Sequence, residues 1–512
     1  MARRIRTFGI MAFLAVSLAV FAYVAASGGG SETTDEPPRY IEPRESEPVS
    51  QVGQGGTARM SLPVSMRPGC LNPYLPGCRG AENLNGVVFE APLALAPSGE
   101  HRPALAAGMP SYGDGTLSLD PMTVELRLRQ NASFSDGEPV TGEDVEWTYE
   151  QAAELADEGR ISPMYSGFTR LEEVEVTGPK TVSLVFDGPY SEWQNLLTAP
   201  VLPAHVYGER DFDSLPLDED PVGSGPFLLG EMAEGGIAFT ANARYWRAML
   251  EFPRLDGLEV EFAGPNRASE SLASGRADFG FFTQPGTAPD SGGLLRSEAH
   301  RDRTEVLVFN SRRMNDDLRE SAAESLDRRA MLSDGLDPTG SVFPGATPPE
   351  SGWGGGSESA ASAIPAEPLT LAYPTGGPAR DEAAEAVVEQ LEAAGIPAEA
   401  EGFAPDEYFR DVFPSGDFDL AMMDFASPAE YEAITPFLPD NSARAVSLSL
   451  SEMEDREQYF AQTQRIMASE DALLPLHVWP DSYAWSSTLS GPEPETPQRS
   501  VAWNVGEWGF FK

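Results

Sequence analysis

The residues of this chain that could do chemistry fall into a few small groups, and each has a plain alternative. Ser224 stands in Gly223-Ser224-Gly225-Pro226, which does not meet the G-x-S-x-G pattern of a nucleophile elbow. Asp278-Phe279-Gly280 spells a kinase triplet, but no glycine-rich phosphate loop, strand lysine or catalytic-loop pattern accompanies it. His205, in the proline-rich Pro203-Ala204-His205, has no partner motif and reads as structural. His477 reads equally as a cleft residue or as a satisfied core histidine. Cys70 and Cys78 are the only cysteines, and LNPYLPG separates them. Outside the cytoplasm so close a pair is expected to form a disulfide, whereas a metal would need further ligands and no histidine lies nearby. No metalloprotease motif, phosphate loop or triad signature occurs. No catalytic residue, metal site or cofactor is therefore assigned. Paired carboxylates cannot be picked out by pattern among 80 acids, so a hydrolase stays open as a minor reading.

The elements that would position such residues are clearer. Thr123 to Arg129 alternates, with Val124, Leu126 and Leu128 on one face, the period of a half-buried strand. Ser135-Asp136-Gly137 supplies turn chemistry. Thr141, with Glu143 and Asp144 behind it, reads as the N-cap of a helix running to about Asp157. Strands are expected over 174–176 and 181–186, joined by Gly178-Pro179. Leu369 to Tyr373, Ala379 to Ala394 and Ile396 to Ala400 read as strand, helix, strand, the order of an α/β lobe. Arg456 to Ser469 reads as a last long helix. Gly352 to Pro368 has no apolar stripe and reads as a flexible loop.

At 512 residues, with 41% hydrophobic content, the chain can bury a large core. Its formal charge of −45 would repel phosphate backbones, so nucleic-acid binding is set aside. Arg3, Arg4 and Arg6 precede an apolar run from Phe8 to Ala26. That pattern is an export signal, with 1–26 read as a signal peptide or, left uncut, an N-terminal membrane anchor. Either way the remainder is expected outside the cytoplasm, in the periplasm or at the cell surface. Residues 27–56 are rich in Gly, Ser, Glu and Pro and read as a disordered linker.

Several of these stretches together resemble a known family. Phe134-Ser135-Asp136-Gly137, Pro139-Val140-Thr141 and Asp144-Val145 resemble the signature of the family 5 extracellular solute-binding proteins, the peptide- and nickel-binding receptors of ABC importers. Leu71-Asn72-Pro73-Tyr74 resembles the family's LNP loop, Glu90-Ala91-Pro92-Leu93 its YEPL segment, and Gly223 to Phe227 its GTGPY turn. Asn242, Tyr245 and Trp246 resemble its N..YW pattern. The resemblance implies an α/β, two-lobed periplasmic-binding-protein-like fold of the class II, or cluster C, type, with a hinge and an interlobe ligand cleft. Lobe I would comprise 57–86, 216–309 and 484–512, with 87–215 as an additional subdomain. Lobe II would be 310–483.

The implied function is capture of a peptide-like or other small solute and its delivery to an ABC permease, by a monomer. Asn72, Tyr74, Asp424, Phe425, Trp479, Tyr483 and Trp485 are the expected ligand-binding residues. Peptide-binding relatives carry an aromatic and then an acid that holds the ligand's amino group. Here Phe425 stands for the aromatic, but Asp424-Phe425-Ala426-Ser427 has no acid in the following slot. The alternative is a binding-protein fold reused as a cell-envelope scaffold or regulator.

Overall fold

The computed structural model describes residues 52–512 except 79, 85, 97–99, 234, 283–286, 299–303, 333–337, 344–348, 350–351, 354–362, 376–377, 426–427, 452–455, 479–481 and 494–499. The export segment, most of the expected linker, much of the loop expected over 352–368 and Trp479 lie outside the described residues. Ordered structure is present from Val52, ahead of the expected start at Thr57. Val52 bridges Phe511, and the Gly53 N–H donates to the Phe510 carbonyl at 2.7 Å. Among the described residues no helix is long and apolar enough to cross a membrane.

Three larger sheets organise the chain. A seven-stranded sheet runs in the order Leu294–Glu298, Ser482–Ser486, Phe279–Phe282, Thr57–Pro63, Gly257–Ala263, Gly236–Ala241, Phe227–Ala233. A five-stranded sheet runs Ala398–Phe403, Leu369–Pro374, Leu420–Phe425, Thr304–Phe309, Leu473–Val478. A four-stranded antiparallel sheet, Leu117–Leu119, Met122–Arg127, Thr181–Phe186 and Leu171–Gly178, belongs to the expected subdomain.

Sequence pattern explains the strand positions. Thr57–Pro63 points Ala58, Met60 and Leu62 inward and pairs in parallel with strands on both sides, so it is central. All six residues of Thr304–Phe309 are buried, the near-continuous run expected of a strand covered on both faces. In Met122–Arg127 the alternation is cleaner: Val124 and Leu126 are fully buried and Glu125 and Arg127 face out as an ion pair. The helix Gly142–Asp157 starts where Thr141 was read as its cap, and the Thr141 N–H donates to the Asp144 carboxylate at 2.7 Å.

Sheet membership moves two expected boundaries. Thr304–Phe309 was expected in lobe I but lies wholly in the five-stranded sheet, and Ser482–Ser486 lies wholly in the seven-stranded one. The physical reason is pairing. Thr304–Phe309 hydrogen-bonds to Leu420–Phe425 on one side and Leu473–Val478 on the other.

The family-like landmarks form a clasp that holds the seven-stranded sheet to the chain entering the subdomain. A Cβ at Gly223 would meet the Val88 carbonyl at 2.1 Å, and one at Gly225 the Val87 carbonyl at 2.5 Å, so this crossing excludes any side chain. Glu90, buried just beyond, accepts from the Tyr245 hydroxyl and from Trp246 Nε1, both at 2.5 Å. Burial pushes the Glu90 carboxyl up to about 7, while these hydrogen bonds and the charges of Arg247 and Arg129 pull the other way. Phe227–Ala233, which follows, is an edge strand of the seven-stranded sheet. His205 Nε2 pairs with Asp136 Oδ2 at 2.7 Å, tying the Ser135-Asp136-Gly137 turn to the proline-rich connection, and Gly137 takes φ +104°.

Candidate functional site

The span expected as a subdomain, 87–215, and the lobe built on the five-stranded sheet touch each other directly. The helical turn Pro163–Arg170 packs against Pro428–Phe437. Ser191 donates through its N–H at 2.8 Å and its hydroxyl at 2.9 Å to the Leu450 carbonyl, at the end of the helix Asp440–Ser451. Cys70 and Cys78 are joined as expected, and the turn Pro76–Cys78 in their ring packs on the helical turn Tyr408–Val412.

Between these contacts lies a cavity of about 850 Å³. Its apolar wall includes Ile161, Phe409, Phe413, Phe437 and Leu448. Its charged groups are Glu158, Arg170 and Asp187 from the subdomain, and Arg312, Glu432 and Arg444 from the other lobe.

Arg170 is the hub. Its Nε donates to Asp187 Oδ1 at 2.8 Å, its Nη atoms reach Ser451 Oγ at 3.4–3.5 Å, and its plane lies over the Tyr190 ring at 5.4 Å. Across the interface it faces Glu432 Oε1 at 3.8 Å, too far for a hydrogen bond. Glu432 Oε2 is buried with no hydrogen-bond partner among the described residues. Burial therefore pushes the Glu432 carboxyl up to about 7. Arg170 opposes this only in part, because its guanidinium is already shared with Asp187.

The expected ligand residues are placed differently. Asn72 is buried, donating from Nδ2 to the Phe212 carbonyl at 2.9 Å and accepting from the Tyr74 N–H at 3.1 Å. Tyr74 is fully buried against Tyr165, Phe168 and Phe212, and its hydroxyl donates to the Pro200 carbonyl. Phe425 packs on Tyr431 with centroids 4.4 Å apart, and Tyr483 packs between Phe279 and Phe281. Trp485 is half-buried in the seven-stranded sheet. None of these five lines the cavity. The apolar side chains and Tyr74 fill the protein's own core, and Asn72 is tied to the backbone of Phe212 and Tyr74.

Asp424 is also turned inward. It stands directly opposite Glu305 on the neighbouring strand, and two carboxylates so placed would repel. Arg380, at the start of the helix Pro378–Ala393, resolves this. It donates to Glu305 at 2.5 and 2.8 Å and to Asp424 at 2.7 Å. The pairing holds the guanidinium above its usual range despite burial.

Sequence reading missed Arg170, Arg312, Glu432 and Arg444 as site residues. Arg170 ends a short helical turn, and the other three sit in segments with no chemical motif, so only the packing of the lobes brings them together.

Comparison with known proteins fits this architecture. The model of the bacterial extracellular solute-binding proteins, family 5, matches residues 100–438. Protein XP55 of Streptomyces lividans is 28% identical over 393 residues, covering 70% of this chain and 69% of that protein. Among solved structures, AgaA of A. tumefaciens R10 in complex with agropinic acid superposes with a TM-score of 0.75 at 17% identity, over 89% of this chain and 99% of its own. The oligopeptide-binding protein AppA of Bacillus subtilis, in complex with a nonapeptide, gives 0.71 at 18% identity, over 90% and 100%. At such identities the structural likeness shows the two-lobed fold alone. The family match extends from the subdomain into the five-stranded lobe, well over half the chain, and this protein therefore belongs to the bacterial extracellular solute-binding proteins of family 5.

Proposed function

We propose that the chain is the extracytoplasmic receptor of an ABC importer, capturing a small solute between its lobes and presenting the closed form to a membrane permease. The observation that carries this reading is the cavity of about 850 Å³. It is walled by two units that meet through the packing of short helical turns and a few polar contacts, which opening would have to break and remake. Its volume suits a solute of some hundreds of daltons. A ligand bridging both walls would favour the closed arrangement by its differential affinity, which is all that signalling to a permease requires. The relatives' ligands, a nonapeptide and agropinic acid, are chemically unlike, so the fold does not dictate the solute. Nothing in this reading requires catalysis. Export by the N-terminal apolar segment would place the receptor outside the membrane.

The test is mass spectrometry of whatever remains bound to the natively purified chain, followed by a thermal-shift titration with that compound. A solute at 100 times its Kd should stabilise the folded form by about 2.7 kcal/mol. An empty protein that no peptide, sugar or metal-complex panel stabilises would refute the receptor reading and support an envelope scaffold.

A further inference from the structure

Resting on the receptor reading above, we propose that the solute is an amphipathic organic anion, a carboxylate on an apolar body, whose charge is held by Arg312 and Arg444. The inference comes from matching the charges around the cavity. Glu158 accepts from Arg160 at 2.6 Å, and Asp187 accepts from Arg170 at 2.8 Å. Glu432 faces Arg170, and burial drives it toward the neutral form. Each acid thus already faces an arginine, with Arg160 serving both Glu158 and Asp213 and Arg170 both Asp187 and Glu432.

Arg312 and Arg444 are not matched. Arg312 lies over the Phe437 ring at 5.3 Å, and neither arginine has a carboxylate partner among the described residues. Both are exposed at the cavity, where an incoming group can reach them. A guanidinium offers a planar pair of donors that fits a carboxylate. In a chain of net charge −45 the long-range field repels anions, so an anion site has to supply its own local cations, and this cavity does.

Glu432 Oε2 adds a further point of recognition. It is a buried polar atom with no hydrogen-bond partner among the described residues, and in its protonated form the carboxyl can donate to a ligand oxygen. The remaining wall is apolar, with Phe409, Phe413 and Leu448 positioned to cover a hydrocarbon or aromatic body. The acid next to the aromatic that could have met an ammonium group, Asp424, is bonded to Arg380 instead.

The test uses three molecules of one shape and different charge: 2-naphthoate, 2-naphthamide and 2-naphthylmethylammonium. Binding is read by calorimetry and thermal shift at pH 6, on the wild-type chain and on Arg312→Gln/Arg444→Gln. Both arginines are exposed, so the unliganded melting temperature should not move. Naphthoate should bind at least ~10-fold more tightly than the other two, and the double variant should lose at least ~10-fold in naphthoate affinity, the worth of one charge-assisted hydrogen bond. Equal binding of the amide or ammonium overturns the proposal. So does undiminished naphthoate binding to the variant, or no naphthoate binding at millimolar concentration. A neutral or cationic native solute, bound equally by the variant, would overturn the anion while leaving the receptor reading intact. A chain with no native solute and no response to any panel would end both.

Discussion

Replacing Arg380 by Met should destabilise the protein severely, and the reason lies in three side chains. Glu305 is fully buried, the Asp424 side chain is 3% exposed, and the two carboxylates face each other across neighbouring strands. Arg380 bonds both, with Nη2 shared between them at 2.5 and 2.7 Å. Removing one partner from a buried ion cluster leaves charge without compensation, which typically costs about 3–5 kcal/mol. The loss should appear in urea unfolding followed by circular dichroism at pH 7, as a lower midpoint with little change in slope. Replacing all three residues together, Arg380→Met with Glu305→Met and Asp424→Leu, should recover most of the loss, since apolar substitutes of similar volume are often neutral or better. Asp424→Asn alone should cost less, about 1–3 kcal/mol, and should leave solute affinity within about twofold. A loss under about 1 kcal/mol for Arg380→Met would refute the reasoning. Loss of solute binding in Asp424→Asn at unchanged stability would mean that Asp424 contacts the solute after all.

Two further outcomes follow from the interface and the ring. The Glu432 carboxyl, pushed up from 4.5 to about 7 mainly by burial, binds its proton more tightly in the folded form than an exposed glutamate would. Its contribution is thus fully present below about pH 4.5 and is lost as pH rises through about 7, amounting to ~3 kcal/mol across that window. Glu90 is pushed up to about 7 as well, so wild type must be compared with Glu432→Gln, in which the Glu432 titration is removed and that of Glu90 stays. The stability difference between them should move in favour of the variant from pH 5 to 8, and a constant difference would refute the assignment. Reducing the Cys70–Cys78 ring, or replacing both residues by Ser, frees a loop of sequence separation 8 and should cost about 2–3 kcal/mol in urea unfolding. No change on reduction would mean that the ring adds nothing to the packing of Pro76–Cys78.

Much of the fold was legible because it rests on local pattern. The alternation around Val124 and Leu126, the cap at Thr141 and the helix Arg456–Ser469 each follow from residues within one or two turns of each other. The clasp shows what lies between local and global. Its glycines, Glu90 and the Tyr245-Trp246 pair were readable as landmarks. That a carboxylate would accept from aromatics 155 and 156 residues away was not readable, because sequence spacing carries no information on that contact.

The candidate site was the least legible part, for a physical reason. Aromatic residues near a suspected cleft carry the same pattern whether they bind a ligand or fill a core, and here Tyr74, Phe425 and Tyr483 fill the core. The residues that do face the cavity look like ordinary surface charges. Glu432 lies in Pro428–Phe437, interrupted by Pro436, and Arg444 lies in Asp440–Ser451, where serines break up the apolar face. Their role depends on which charges across the interface are already satisfied. Arg170 bonds Asp187 and so only partly compensates Glu432, while Arg312 and Arg444 have no carboxylate partner among the described residues. A binding site of this kind is written in the mismatch between two surfaces, and neither surface alone contains it.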